Sequence, residues 1–257
     1  TTGAIDRIAR VSASTGRPVQ ALYLMKSPQS AAAMAPIAEF AWVVKNLVRP
    51  LGFLRLGLPC QLMGTGMAFP WMAIRSAQLA SGHIVEDMKL GVDLARAGAP
   101  PLFCPEALVR SYFPGNEEGT LSQRTRWEHG HLGMIVGEVP RLLWEGIRGK
   151  GSGLLALALD MCVPPLALLT LTIIALLVVC AAHALLTFSI APLAVAGVIS
   201  LMFGAAVGLS WLQFGSGILT FGQLLLAFAY AFRKVPLYLK FIIGRQVEWV
   251  RSKRDEP

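Results

Sequence analysis

Two short clusters carry the side chains best suited to chemistry. The first is Glu86-Asp87, an acidic pair ahead of an apolar helical pattern; the second is the pentad Gln123-Arg124-Thr125-Arg126-Trp127. Asp87 can act as a general base that removes a proton from a hydroxyl. A carboxylate pair at a helix start also serves as a cap against the positive end of the dipole, and local sequence leaves both readings open. Gln123, Arg126 and Trp127 are three and four residues apart, so they share one helix face. On that face an indole can stack on a sugar ring, a guanidinium can grip phosphate oxygens, and an amide can exchange hydrogen bonds with hydroxyls. A surface helix with one buried Trp reads the same way. Gly64-Thr65-Gly66 sets two permissive residues around a hydroxyl, where backbone can approach a ligand closely.

Other candidates are weaker. His129 and His131 are two apart and diverge on a helix, which argues against a shared metal. His83 reads as polar surface. Cys60, Cys104, Cys162 and Cys180 show no paired spacing, so neither a disulfide framework nor a structural zinc site is expected.

The elements around these clusters follow from spacing. Residues 4–15 read as a helix stopped by Gly16, and Val19 to Met25 as a buried strand. Pro36 opens a helix with Ile37, Phe40, Ala41, Val44, Leu47 and Val48 on one side, ending before Pro50. Gly52 to Pro59 is expected to be a loop which, with Phe53, Arg55 and the preceding Arg49, could lie on a membrane surface. Cys60 to Pro70 reads as strand, Gly-Thr-Gly turn, strand, followed by a helix from Trp71. Glu86-Asp87 open a helix with Met88, Val92 and Ala95 on one face, closed by Gly98 and Pro100. Leu102 to Cys104 and Ala107 to Tyr112 are expected as two short strands. Leu121 to Val139 is helical, Pro140 interrupts, and Arg141 to Arg148 is a short amphipathic piece. The alternation points to an open α/β layer.

The chain has 257 residues, is 54% hydrophobic and 15% charged, and its imbalance is local. Between Gly151 and Phe232 the only charged side chain is Asp160 and the only histidine is His183. At about 20 residues per crossing, this tract holds two transmembrane helices, roughly Leu157–Phe188 and Pro192–Leu212. Ionisable groups there are functional candidates by default, although Asp160 lies near one end and can reach the interface. Ile218–Phe232 is shorter and suits the interface or packing on protein, and the tail from Pro236 mixes apolar, aromatic and basic residues as interfacial helices do. The net charge of +8 collects beside the tract, in Arg141, Arg148 and Lys150 before it and Arg233, Lys234, Lys240 and Arg245 after it. That favours a membrane over nucleic acid and puts both flanks on the cytoplasmic side. The expected division is 1–140 globular, 141–152 interfacial, 153–214 membrane-spanning and 215–257 interfacial helix and basic tail.

With these residues in hand, the chain resembles the membrane-bound inverting family-2 glycosyltransferases, the group of cellulose, chitin and hyaluronan synthases and bacterial exopolysaccharide enzymes. Val85-Glu86-Asp87 matches the family's acidic motif, the pentad matches its Gln-(Gln/Arg)-x-Arg-Trp motif, and Gly64-Thr65-Gly66 corresponds to a Gly-rich segment near the acceptor. The resemblance implies a GT-A-like open sheet domain followed by a helical transmembrane region. It makes Asp87 the catalytic base, with Glu86, Gly64, Thr65, Gly66, Gln123, Arg124, Arg126 and Trp127 binding acceptor or donor. It implies a nucleotide-sugar donor, a saccharide or lipid-linked acceptor, contact with membrane lipids and possible export or synthase subunits, in the inner membrane of a bacterial-type cell. The family's Asp-x-Asp, which holds Mg²⁺ or Mn²⁺ against the donor diphosphate, has no counterpart before Gly64, where the acidic residues are Asp6 and Glu39. The expectation is therefore that metal ligands fall outside this chain and that Thr1 begins within a longer polypeptide, lacking the donor-binding half. An inactive fragment or membrane scaffold that keeps the fold is the competing reading. A transporter or channel subunit fits the few crossings poorly.

Overall fold

A computed structural model describes residues 2–28, 34–77, 79, 83–114, 117–149 and 151–244. Thr1, Lys150, Arg245 and the remainder of the tail lie outside the described residues. A three-stranded mixed sheet carries the globular part, in the order β2 (Met67–Ala68), β1 (Val19–Lys26), β3 (Leu102–Tyr112). The central strand β1 pairs antiparallel with β2 and parallel with β3. Helix α1 (Ala4–Thr15) closes at Gly16, whose φ of 64° is open to glycine, and buries Ile8 against Val19, Ala21 and Cys104.

The structure corrects several sequence expectations around the sheet. Leu102 to Tyr112 is one strand with a bulge, because Ala21 pairs with Cys104 and the next residue, Leu22, pairs with Leu108. Cys60 to Met63 forms no ladder: the Met63 N–H donates to the Gln20 Oε1, 2.7 Å away, so a buried side chain takes the place of a partner strand. The helix from Pro36 does not stop before Pro50. It runs as α2 (Ala35–Val43), a π-helical turn (Val44–Val48) and α3 (Arg49–Arg55). Within that wider turn the Arg49 N–H reaches back to the Val44 carbonyl, and Pro50, which has no N–H to donate, follows without breaking the helix. Leu51 and Leu54 of α3 then pack on Leu22 and Phe103, so the first half of the expected loop is helix with one apolar edge on the sheet, while Gly52, Arg55, Leu56 and Gly57 stay exposed.

A larger, all-helical core lies beside the sheet. Its contributors are Val85, Met88, Val92 and Ala95 on or entering α5 (Glu86–Arg96), Met134 of α6 (Glu117–Gly137), Val139 and Leu142 of α7 (Val139–Ile147), and Leu154, Leu157, Ala158 and Met161 of α8 (Ser152–Cys162). Each large apolar side chain there stabilises the fold by about 1.5–3 kcal/mol. Helix α4 (Trp71–Arg75) is a short surface turn with Trp71 and Met72 exposed.

The first expected crossing is thereby shortened. Helix α8 belongs to the globular core, and at ~1.5 Å per residue its length is only about half of a ~30 Å hydrocarbon layer. Pro164-Pro165 separate it from α9 (Leu166–Thr187), and Val163 before them is extended, as a residue preceding proline should be. Helix α9 and the segment Ala191–Gly215, which is α10 (Ala191–Ser210) plus a second π-helical turn, are long and apolar enough to cross a membrane. They pack together across a short connection and are otherwise little buried. Ile218 to Phe232 divides into α11 (Phe221–Leu225), opened by a Thr220–Gln223 capping box, and α12 (Ala227–Arg233). Tyr230 of α12 packs on Ile37 and Ala38, and α13 (Val235–Gly244) sets Leu237 and Tyr238 against Leu132 of α6 and Leu168 of α9.

Candidate functional site

The sheet's C-terminal edge, α5 and α6 enclose an open cavity of about 780 Å³. Asp87, Glu86, Gly64, Thr65, Gln123, Arg126 and Trp127 all line it. Three local features bring these sequence-distant groups together. Gln20, fully buried in β1, donates through Nε2 to the Thr65 carbonyl and accepts from the Met63 N–H, which pins the Gly-Thr-Gly turn. Gly64 has φ +77°, and a Cβ there would sit 3.1 Å from the Asp87 Oδ2, so bare backbone abuts the carboxylate. Gly130, one helical turn beyond Trp127, lets α6 approach the residue before the acidic pair: a Cβ there would lie 2.5 Å from Val85 Cγ1.

Two of the expected site residues are placed elsewhere. Arg124 is one residue on from Gln123 and so turns about 100° around the helix. Its guanidinium lies 6.0 Å from the Phe113 ring and 5.9 Å from the Tyr230 ring, between the globular part and α12, outside the cavity lining. Gly66 faces the sheet, where a Cβ would meet Val109 at 2.7 Å and Ala21 at 3.0 Å. His129 and His131 are buried and separate, with Nε2 atoms 3.0 Å from the Leu237 carbonyl and 3.1 Å from the Met161 carbonyl, respectively. His83 is exposed.

The structure adds residues that the motif search missed. Tyr23, Trp42, Lys45 and Asn46 line the same cavity. The Trp42 and Trp127 rings are 4.9 Å apart at 39°, and Tyr23 and Phe113 meet Trp42 edge-on. Lys45 sits 5.5 Å over the Trp42 ring. Asn46 Nδ2 donates to the Tyr23 carbonyl at 3.1 Å and holds the π turn on β1. The available signal was Trp42, Lys45, Asn46 and Arg49 at helical spacing, a polar and aromatic stripe on the side of α2 opposite its apolar face.

Charge is unevenly compensated here. Burial raises the Asp87 carboxyl above its usual range, while the Met88 amide and the Lys45 ammonium pull it back. Burial likewise lowers Lys45, opposed chiefly by Asp87, and lowers Arg126, opposed by Asp87 and Glu86. A half-buried carboxylate, an aromatic wall and two cations in one cavity are the chemical parts that deprotonation of a hydroxyl beside a developing anion would need. The described residues hold no cluster of three His, Cys, Asp or Glu side chains, and the Glu86–Asp87 pair shares the cavity with the cations Lys45 and Arg126.

The cavity therefore lies in a chain that also carries two paired helices long and apolar enough to cross a membrane. The family model of glycosyl transferase family group 2 matches residues 21–235, and the chain belongs to that family. Membership implies a nucleotide-sugar donor and an acceptor, with glycosyl transfer between them. No curated protein matches the chain.

Proposed function

We propose that the protein transfers a sugar from a nucleotide-sugar donor to a saccharide or lipid-linked acceptor, with inversion, at the cytoplasmic face of a membrane, in exopolysaccharide or glycolipid synthesis. Asp87 removes the proton of the acceptor hydroxyl as its oxygen attacks the anomeric carbon. The bond from that carbon to the diphosphate oxygen breaks in the same displacement, and the leaving charge develops near Arg126 and Lys45. Trp127 and Trp42 hold the acceptor ring, and Gln123 bonds its hydroxyls. The observation that supports this reading most is that Asp87, Gln123, Arg126 and Trp127 line one cavity. The hairpin of α9 and the segment Ala191–Gly215 returns the chain to the side it left, and basic residues flank both ends. Proton NMR of product made from an α-linked nucleotide sugar tests the displacement. A β linkage is expected; an α linkage contradicts single inversion.

A further inference from the structure

Asp160 is the one charged side chain between Gly151 and Phe232, and the cavity does not use it. It stands near the end of α8, 7% exposed, just before the proline pair that leads into α9. Both carboxylate oxygens are bound. Arg49 Nη2 lies 2.5 Å from Oδ1, and Gln61 Nε2 donates to Oδ2 at 2.6 Å. Arg49 donates to the Asp160 main-chain carbonyl as well, and His131 meets the next carbonyl, that of Met161.

From Gln61 the chain needs only three residues to reach the site. Leu62 is 1% exposed and packs on α5, where a Cβ at Gly91 would lie 3.2 Å from its Cγ. Met63 is held by Gln20, and Gly64 abuts the Asp87 carboxylate. The space left among Lys45, Arg49, Gln61 and Asp160 is a cavity of about 10 Å³, about the room of one water, so these groups are closely packed around one another. A buried ion pair is seldom better for stability than well-packed apolar residues, which points to position as the purpose of the charge.

We infer that Asp160 is a positioning residue for transfer: it holds the Gln61–Gly64 segment against Asp87 and makes that segment continuous with the root of the first apolar span. This rests on Asp87 being the base. The experiment is a double-mutant cycle on the full-length protein in native membranes, reading nucleoside diphosphate released from a panel of uridine and guanosine diphospho-sugars per mole of folded protein. Asp160→Asn and Gln61→Ala should each lower kcat about tenfold with donor KM unchanged, and the double variant should lower it by the same factor, since both cut one path. A product of the two effects, an unchanged kcat, or a change confined to KM overturns the inference. Should Asp160→Asn fail to fold, Arg49→Met with Asp160→Leu removes both charges at similar volume. That pair should fold and still lose about tenfold in kcat; wild-type kcat overturns the inference. Asp87→Asn, run alongside, separates the two layers: if it turns over normally the base assignment fails, whereas if it is inactive and the cycle is additive, only the role of Asp160 fails.

Discussion

Helix α5 has two ends that treat charge in opposite ways. Toward its C-terminal end Asp93 takes the ammonium of Lys89 from one turn back, and Arg96 pairs with Glu138 and Glu145, the latter also held by Arg141. At its N-terminal end Glu86 and Asp87 face a cavity with Lys45 and Arg126, and the Asp87 carboxyl is pushed up by burial. The first end ties α5 to α7 through paired charges, although Arg96 Nη2 itself is buried without a hydrogen-bond partner. The second is kept costly, which is the pattern expected where a group must change protonation during a reaction.

The contrast is broken most severely at Asp87. Asp87→Asn should lower transfer by three orders of magnitude or more while raising Tm at neutral pH. The sign follows from burial: the folded-state pKa lies above the unfolded one, so the fold gains relative stability below the unfolded value and loses it as pH rises through the folded value. The Tm advantage of Asn should therefore vanish under acid conditions. A smaller but still large effect is expected at Gly130. Gly130→Ala forces α6 from Val85, costing about 1–3 kcal/mol and at least tenfold in kcat, and Val85→Ala in the same chain should restore both.

Lys45→Met comes next. Asp87 is approached by Lys45, Glu86, Arg126 and the Met88 amide; removing the ammonium leaves burial and Glu86 less opposed. The acid limb of kcat/KM should move to higher pH, and Lys45→Arg should return it most of the way. Glu145→Gln, at the paired end, should leave kcat/KM unchanged and lower Tm. Arg96, then Arg141, hold the Glu145 carboxyl below its usual 4.5, so its contribution is present above that pH and lost as pH falls through the depressed value. Thermal melts from pH 3 to 7 should show a flatter acid slope in the variant.

Legibility followed the range of the interactions. Helix α1, strand β1, and the start and apolar face of α5 follow from local periodicity and from Gly16, Gly98 and Pro100, and the acidic pair and pentad stand out because their residue types are chemically unusual together. What local pattern could not show was long-range. Gln20 substitutes for a strand partner of Met63, Leu51 and Leu54 find the sheet and turn a loop into helix, and Asp160 pairs with Arg49 rather than with the interface. Lys45 and Asn46 were hidden for a related reason: the apolar side of α2 accounts for the helix, and the stripe opposite gains meaning only when the π turn presents it beside Asp87.

The most direct measurement is an electron cryomicroscopy map of the Asp87→Asn protein with an acceptor saccharide bound. The account predicts an acceptor ring on the Trp127 indole and its reactive hydroxyl within about 3.2 Å of the residue-87 side chain. An acceptor held away from both, with the cavity between α5 and α6 empty, would contradict it.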